Sequence, residues 1–253
     1  MSENENKAAW DKEHVEAWVE RFGTPEEYSQ KIVKSPEKIL GSLADVMGEV
    51  DQKRILNLMG SNGNKAVALA RLGADVTVVD FSYSNQIYAL QLAEAAGVKI
   101  EYILSDILVF QPESTYDITF AEMGILHYFI DLKPFFNCLN RSTSKGGLIV
   151  IRDFHPISTK LISSRGSTAK VRKHKVEGDY FDASLIEKVV SYGKYSKDDI
   201  PERVFLRNWT LGEIITQAAD CGLIITALIE EPNLSSDVFD KGIPKTFILK
   251  MTK

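Results

Sequence analysis

A regular alternation of short apolar runs and amphipathic segments between residues 54 and 152 constrains the fold most strongly. The apolar runs predict five strands, at 54–59, 74–79, 99–104, 116–121 and 147–152. Between them, three segments have the spacing of amphipathic helices, at 64–72, 82–96 and 131–139. Such an alternation is typical of a parallel sheet that carries helices on both faces. We therefore predict an α/β, Rossmann-like, doubly wound fold.

The sequence on either side of this alternation divides the chain into four predicted segments. Residues 1–50 are interpreted as an N-terminal helical cover and residues 51–153 as the Rossmann-like core. The alternation breaks at residues 154–207, which we interpret as an inserted lid with a helix at 183–190. Residues 208–253 add a helix that starts after Thr210 and the last two strands of the core, at 224–229 and 246–251.

The composition is that of an ordinary globular protein and argues against several classes. Hydrophobic residues make up 44% of the chain, which is too apolar for intrinsic disorder. The net charge of −5 argues against a nucleic-acid-binding domain, which is usually basic. Cys138 and Cys221 have neither a zinc spacing nor a disulfide framework, and the first ten residues lack the apolar core of a signal peptide. Because the two cysteines form no disulfide framework, we expect a protein of the reducing cytoplasm. No apolar run is long enough to span a membrane.

Glycines and acidic residues occur where the predicted strands end. Gly60 and Gly63 bracket the turn after the first strand, Asp80 ends the second, Asp106 follows the third and Glu122 follows the fourth. In a doubly wound sheet, ligands bind beyond these carboxyl ends. A glycine turn that opens onto a helix favours a carboxylate or phosphate, and an acid at the second strand suits a ribose diol. Together they predict a pocket for an adenosine with a small charged tail.

Five segments carry a resemblance to a known family: ILNLMGSNG, VTVVDFS, YILSDIL, YDITFAEMGILHYF and GGLIVIRDFHP. In order and spacing they resemble the motifs of class I S-adenosylmethionine-dependent methyltransferases. The resemblance covers residues 37–153 and extends more weakly to the C-terminus. It implies a mostly parallel seven-stranded sheet with an antiparallel last strand, S-adenosyl-L-methionine as cofactor, and cofactor binding by residues 51–153.

The resemblance also implies which residues contact the cofactor. The turn of Gly60, Ser61, Asn62 and Gly63 would face the methionine part of the cofactor. Asp80 would hold the ribose hydroxyls, and Asp106 would take the adenine amino group. Four further residues complete the implied set: Phe81 and Ile107 beside the adenine ring, and Glu122 and Met123 on the floor near the sulfonium.

One departure from the family pattern concerns the glycine turn. The first motif of the family usually has an acid followed by three alternating glycines. Here Asn57 takes the place of the acid, Met59 and Ser61 take the places of two glycines, and Gly63 remains. This departure keeps open a second hypothesis, a non-catalytic protein that binds S-adenosylmethionine or S-adenosylhomocysteine.

Three other interpretations of the same turn match the sequence less well. A nicotinamide-dependent dehydrogenase would need Gly-x-Gly-x-x-Gly, which residues 60–65 lack. The segment from Met59 to Gly63 is close to the nucleophile elbow of serine hydrolases, but only predicted helices precede its strand. A Walker loop would need Ser or Thr after Lys65.

Two histidines are candidate catalytic bases. His127 follows the fourth predicted strand and His155 follows the fifth, so both lie at the ligand-binding end of the sheet. A neutral imidazole can accept the proton that an attacking hydroxyl or amine loses. Packing against the cofactor or capping a helix is an equally open role for each. The sequence has no cluster with metal-ligand spacing, so we expect no metal.

Residues 152–175 are basic, with seven Lys and Arg against one acidic residue. This stretch is either a solvated loop or a lid that attracts an anionic substrate or partner, and it keeps an RNA methyltransferase as an alternative. We predict a methyltransferase that acts by in-line methyl transfer on a small-molecule acceptor, rather than on nucleic acid or at a membrane. A homodimer stays open.

Overall fold

The computed structural model describes residues 15–164, 174–190, 202–232 and 242–253. The helices are α1 (Val15–Phe22), α2 (Pro25–Lys34), α3 (Pro36–Leu40), α4 (Ser42–Met47), α5 (Asn64–Arg71), α6 (Tyr83–Ala95), α7 (Lys133–Ser142), α8 (Pro156–Lys160) and α9 (Leu211–Asp220). The strands are β1 (Arg54–Leu58), β2 (Asp75–Asp80), β3 (Glu101–Leu104), β4 (Tyr116–Glu122), β5 (Thr143–Phe154), β6 (Ile162–Ser164), β7 (His174–Val176), β8 (Leu185–Val190), β9 (Glu202–Arg207), β10 (Ile224–Pro232) and β11 (Pro244–Thr252). Within these ranges, no helix has the length and apolar character needed to cross a membrane.

Seven strands form the central sheet in the order β10-β11-β5-β4-β1-β2-β3. The strands from β3 to β5 pair in parallel, whereas β11 lies antiparallel to both β5 and β10. The prediction of a doubly wound, mostly parallel seven-stranded sheet is confirmed. The strand order changes direction at β1, which pairs with both β2 and β4. The carboxyl end of β1 is therefore the switch point at which such sheets bind ligands.

Successive residues of the central strands are buried on opposite faces of the sheet. In β1, Ile55 belongs to the core that includes α5 and α6, and Leu56 belongs to the core that includes α7 and α9. Both side chains are fully buried. Burial on both faces is expected of a parallel sheet covered by two helix layers, and it explains the continuous apolar runs of the sequence.

The N-terminal helices belong to the first of these two cores. Thr24 caps α2, because its hydroxyl accepts from the Glu27 backbone N–H and the Glu27 carboxylate accepts from the Thr24 N–H. Ile32 of α2 and Leu43 of α4 are fully buried against the residues of α5 and α6. Helices α2 to α4 are therefore a structural layer of the core.

The inserted segment differs from the prediction. Residues 185–190 form strand β8, which pairs antiparallel with β9, so the predicted helix at 183–190 is wrong. Ile186, Val189 and Val190 are β-branched, and such side chains favour a strand. Of the basic stretch 152–175, residues 165–173 lie outside the described ranges.

Candidate active site

A cavity of about 400 Å³ opens at the carboxyl ends of the central strands. Its volume is typical of sites for small molecules. Eight of the twelve residues with a predicted cofactor-binding or catalytic role line it: Ser61, Asp80, Phe81, Asp106, Ile107, Glu122, Met123 and His127. Four others, Gly60, Asn62, Gly63 and His155, are not among the lining residues.

The turn after β1 keeps the backbone of a glycine loop although two of the family's glycines are replaced. Met59 and Ser61 both have a φ of +50°, in the left-handed region that costs a non-glycine residue about 1 kcal/mol. The Ser61 N–H donates to Asp80 Oδ2 at 3.0 Å, and the Ser61 carbonyl accepts from the Tyr102 hydroxyl at 2.9 Å. These two bonds hold Ser61 in the conformation that a glycine would adopt freely.

Gly60 and Gly63 shape the turn through the space that they leave free. A Cβ at Gly60 would lie 2.6 Å from Val78 Cγ1 and 2.7 Å from Asn57 Oδ1. At Gly63, where φ is +73°, a Cβ would lie 2.5 Å from the Ala89 Cβ. Both positions therefore require glycine for close packing. They allow the turn to pack in this way although neither residue lines the cavity.

Two asparagines flank the same turn. Asn57, in the position of the family's acid, is buried, and its Oδ1 accepts no hydrogen bond from any residue that the structure describes. Asn62 Oδ1 accepts from the Asn64 backbone N–H at 3.3 Å, where α5 begins. Asn62 therefore organises the entry into the helix, which accounts for its absence from the cavity wall.

Asp80 ends β2 and is buried, and the protein occupies its carboxylate only in part. Oδ2 accepts the bond from Ser61, whereas Oδ1 accepts from the Ser82 N–H at 2.9 Å and from Asn85 Nδ2 at 3.4 Å. An ionised carboxylate has about four acceptor positions, so roughly one remains for a ligand. Burial raises the pKa of Asp80 above its ordinary value, while these hydrogen bonds act in the opposite direction.

Asp106 provides a second carboxylate in the cavity wall, after β3. Its Oδ1 accepts from the Leu108 backbone N–H at 2.9 Å. The Phe81 ring and the Ile107 side chain contribute apolar surface to the same cavity. Apolar surfaces beside a hydrogen-bond acceptor are suited to a flat ring that carries an amino group.

Glu122, at the end of β4, is a partly buried carboxylate between two cations. Its Oε1 lies 3.3 Å from Lys65 Nζ, and its Oε2 lies 3.8 Å from Arg152 Nη1. Lys65 Nζ also donates to the carbonyl oxygen of Ile39 in α3. Burial raises the pKa of the Glu122 carboxyl, and the two cations act in the opposite direction. Oε2 accepts no hydrogen bond within the described residues.

The core of the chain is similar to known proteins in sequence. Residues 58–151 match the family model described as a methyltransferase domain. An O-methyltransferase of ubiquinone biosynthesis from Methylocella silvestris is 35% identical over 97 residues. That alignment covers 38% of this chain and 38% of the relative, so the similarity spans well under half of either protein.

Solved structures share the fold over most of the chain. A Listeria monocytogenes protein assigned as an S-adenosylmethionine-dependent methyltransferase superposes with a TM-score of 0.66 at 19% identity, over 85% of this chain and 97% of that one. An S-adenosylmethionine-dependent methyltransferase from Mesorhizobium loti gives a TM-score of 0.61 at 20% identity, over 88% of this chain and 100% of that one. This chain thus has the fold of these S-adenosylmethionine-dependent methyltransferases.

The two candidate bases differ in where they lie relative to the cavity. His127 is a lining residue of the cavity, and its ring packs at a tilt against Tyr128 with 4.3 Å between ring centroids. His155 instead caps α8, because its Nδ1 accepts from the Ile157 backbone N–H at 3.1 Å. Its Nε2 lies 2.9 Å from Glu230 Oε1. The structure thus corrects the catalytic role expected for His155: both ring nitrogens face protein groups outside the cavity wall.

Two residues that the sequence did not single out also shape the site. Asp153, the residue before Phe154 in β5, accepts hydrogen bonds from the loop that carries His127. Trp18 of α1 lines the cavity with its indole ring. Neither position had a distinguishing signal, since Asp153 is one of several acids at strand ends and Trp18 is part of an amphipathic stripe.

Proposed function

We propose that this chain is an S-adenosylmethionine-dependent methyltransferase that transfers a methyl group to a small-molecule acceptor. The observation that carries the proposal is the single cavity shared by Asp80, Asp106 and Glu122 at the ends of three neighbouring strands. The match of residues 58–151 to the methyltransferase domain family and the shared fold support it.

The chemistry of these residues is suited to S-adenosylmethionine. Asp80 has an acceptor position for a ribose hydroxyl, and Asp106 has one for the adenine amino group, with Phe81 and Ile107 as apolar neighbours. The carboxylate of Glu122, whose buried Oε2 accepts no hydrogen bond from the described part of the chain, would stabilise a positive charge in the cavity. The left-handed backbone of the turn after β1 would allow the close approach that the family's glycines provide.

When bound, the cofactor would supply a methyl group on a positively charged sulfur. The main contribution of the protein would be to hold the acceptor atom in line with that group and to exclude water. His127 is the described histidine in the cavity wall, and a neutral imidazole there would accept the proton of an attacking hydroxyl or amine. We therefore assign the proton-accepting role to His127 rather than to His155.

The walls of the cavity favour an apolar acceptor without negative charge. Tyr128, Phe129 and Phe154 add aromatic surface to the wall that His127 joins. Among the described lining residues, the charged groups are the carboxylates of Asp80, Asp106 and Glu122. An anionic acceptor would meet repulsion from these groups, whereas a neutral or cationic aromatic compound would not.

The proposal includes a cytoplasmic location, which the free thiols of Cys138 and Cys221 support because such thiols persist in reducing compartments. Fractionation of cells that express a tagged chain would test it. A tag that sediments with membranes or is exported would contradict it.

Calorimetry with S-adenosylhomocysteine tests cofactor binding directly. We expect the Asp80→Ala variant to bind about 5–150-fold more weakly, because ribose hydroxyls would lose a buried acceptor worth about 1–3 kcal/mol. Asp75→Ala is the matched control, since Asp75 is exposed at the opposite end of β2. Wild-type protein that shows no binding would exclude the assigned cofactor.

Turnover distinguishes an enzyme from a protein that only binds the cofactor. S-adenosylhomocysteine release would be measured with a panel of phenols, aromatic amines and carboxylates as acceptors. We expect release with neutral or cationic members, and His127→Ala should reduce it by about 10²–10⁴-fold. Tight binding without release from any acceptor would favour the non-catalytic alternative.

A further inference from the structure

Trp18, in helix α1, is joined to the carboxylate of Asp80 through one intervening side chain. Its indole Nε1 donates to Asn85 Oδ1 at 2.8 Å, and Asn85 Nδ2 donates to Asp80 Oδ1 at 3.4 Å. Trp18, Asn85 and Asp80 all line the cavity. Because an indole N–H can only donate, the oxygen of the Asn85 amide must face Trp18 and its NH₂ group must face Asp80.

Helix α1 is held in place at a second point on the same face of α6. The Tyr88 hydroxyl donates to the Gly23 carbonyl oxygen at 2.9 Å, just after α1 ends. Asn85 and Tyr88 are three residues apart in α6, so their side chains lie on one face of that helix. The Trp18 ring also stacks on Phe22 with 5.7 Å between centroids. The indole is therefore fixed by both polar and aromatic contacts.

Asp80 and Asn85 together offer one acceptor and one donor to the cavity. Asp80 has about one acceptor position left, and a ribose diol presents two hydroxyls. The Asn85 NH₂ group has two hydrogens, of which one is used in the bond to Asp80. The second can donate to a hydroxyl oxygen, so the pair matches a diol that donates through one hydroxyl and accepts through the other.

We propose that Asn85, oriented by Trp18, is a second ribose-binding residue of the cofactor site, and that α1 is therefore part of that site. This inference rests on the proposed function, because the diol belongs to the S-adenosylmethionine assigned there. Asn85 contacts the ligand, whereas Trp18 acts through Asn85 as a positioning residue.

A double-mutant cycle in S-adenosylhomocysteine affinity tests the chain of contacts. We expect Asn85→Ala to raise Kd roughly tenfold and Trp18→Phe, which keeps an aromatic ring but removes the N–H, to raise it about 2–10-fold. In the double variant, Trp18→Phe should add nothing to the effect of Asn85→Ala, because its partner is already absent. Effects that multiply would overturn the role assigned to Trp18.

The 2′-deoxy and 3′-deoxy forms of S-adenosylhomocysteine test the contact with the ribose itself. For wild-type protein, one of the two forms should bind about tenfold more weakly than S-adenosylhomocysteine itself. For the Asn85→Ala variant, that same form and S-adenosylhomocysteine should bind with nearly equal affinity. The same loss in wild type and variant for both forms would overturn the ribose contact.

Controls separate this inference from folding and from the proposed function. Glu20→Gln alters an exposed residue of α1 and should leave Kd unchanged. Thermal melting would show whether Asn85→Ala is folded, and Trp18→Phe provides a milder variant if it is not. Wild-type protein that binds no S-adenosylhomocysteine would remove the proposed function. If wild-type protein and the Asn85→Ala variant bind S-adenosylhomocysteine with the same affinity, this inference is overturned and the proposed function stands.

Discussion

Asp153 Oδ2 accepts a hydrogen bond of 2.8 Å from the backbone N–H of Leu126, which comes 27 residues earlier in the chain. The same carboxylate accepts from Ile125 at 3.0 Å and from Gly124 at 2.7 Å. Asp153 is buried at the end of β5, where its carboxylate needs such hydrogen-bond donors. It thereby fixes the loop after β4 that leads into His127.

We expect Asp153→Asn to loosen this loop although the side chain keeps its size. An amide has only one acceptor oxygen, so its NH₂ group would take the place of the other carboxylate oxygen. Two hydrogen-bond donors, the NH₂ group and a backbone N–H, would then face each other. The free energy of unfolding should fall by about 1.5–3 kcal/mol, and turnover should fall more than S-adenosylhomocysteine affinity. Chemical denaturation, kinetics and hydrogen exchange at residues 124–126 would measure the three effects.

The exposed Asp45 of α4 provides the control for this charge removal. Asp45→Asn should leave the free energy of unfolding within about 0.5 kcal/mol of wild type. Unchanged exchange rates at residues 124–126 in Asp153→Asn would mean that other contacts hold the loop.

Two substitutions in the turn after β1 should change stability in opposite directions. Ser61→Gly relieves a non-glycine residue at a φ of +50° and should raise the free energy of unfolding by up to about 1 kcal/mol. Gly63→Ala adds a methyl group 2.5 Å from the Ala89 Cβ at a φ of +73°, and should lower it by about 2 kcal/mol or more. Urea denaturation of both variants checks the sign of each change.

The Ser61→Gly variant also tests whether the replaced glycine weakens the cofactor site. Because the Ser61 backbone already has the left-handed conformation, S-adenosylhomocysteine affinity should stay within about threefold of wild type. An affinity gain of tenfold or more would mean that the serine side chain, rather than the backbone, limits binding.

The fold could be predicted from the sequence because its strands are buried on both faces and therefore appear as continuous apolar runs. The runs that became β1, β2, β4 and β5 are of this kind. The prediction of a helix at 183–190 is wrong although β8 contains β-branched residues, because its pairing with β9, which lies beyond residue 201, is what makes it a strand. Pairing between distant segments cannot be read from the periodicity of one of them.

The sequence predicts which residues lie at the carboxyl ends of the strands, but it does not predict the direction in which each of their side chains points. Asp80 and Asp106 line the cavity because the carboxyl ends of parallel strands meet at one edge of the sheet. The direction of a side chain beyond a strand depends on local capping, so His155 turns away to cap α8 while His127 faces the cavity. The proline after His155, at the first position of α8, was a capping signal.

His155 and His127 should therefore respond differently to removal. His127→Ala should reduce kcat strongly with little change in melting temperature. His155→Ala should lower the free energy of unfolding by about 1–2 kcal/mol through loss of the cap, with kcat within about threefold of wild type. Steady-state kinetics with an acceptor from the panel, together with melting curves, would compare the two. A large loss of kcat in a stable His155→Ala protein would contradict the corrected assignment.

The burial of His155 should also make stability depend on pH. Burial lowers the pKa of His155 below its ordinary value of 6.5, while the nearby Glu230 acts in the opposite direction. The unfolded chain therefore binds this proton at a higher pH than the folded one does. The contribution of neutral, buried His155 to the free energy of unfolding is fully present above about pH 6.5. It is lost as the pH falls below that value, by at most about 1.4 kcal/mol per pH unit.

Two variants should change this dependence in opposite directions between pH 7.5 and pH 5. His155→Asn keeps a side-chain acceptor for the Ile157 N–H and removes the titrating group, so the free energy of unfolding should fall less steeply than in wild type. Glu230→Gln removes the carboxylate that favours the protonated ring, so its stability should fall more steeply. Urea denaturation at half-unit pH steps would give the three slopes. If wild type and His155→Asn lose stability in parallel over this range, another group governs the pH dependence and His155 is not held neutral by its burial.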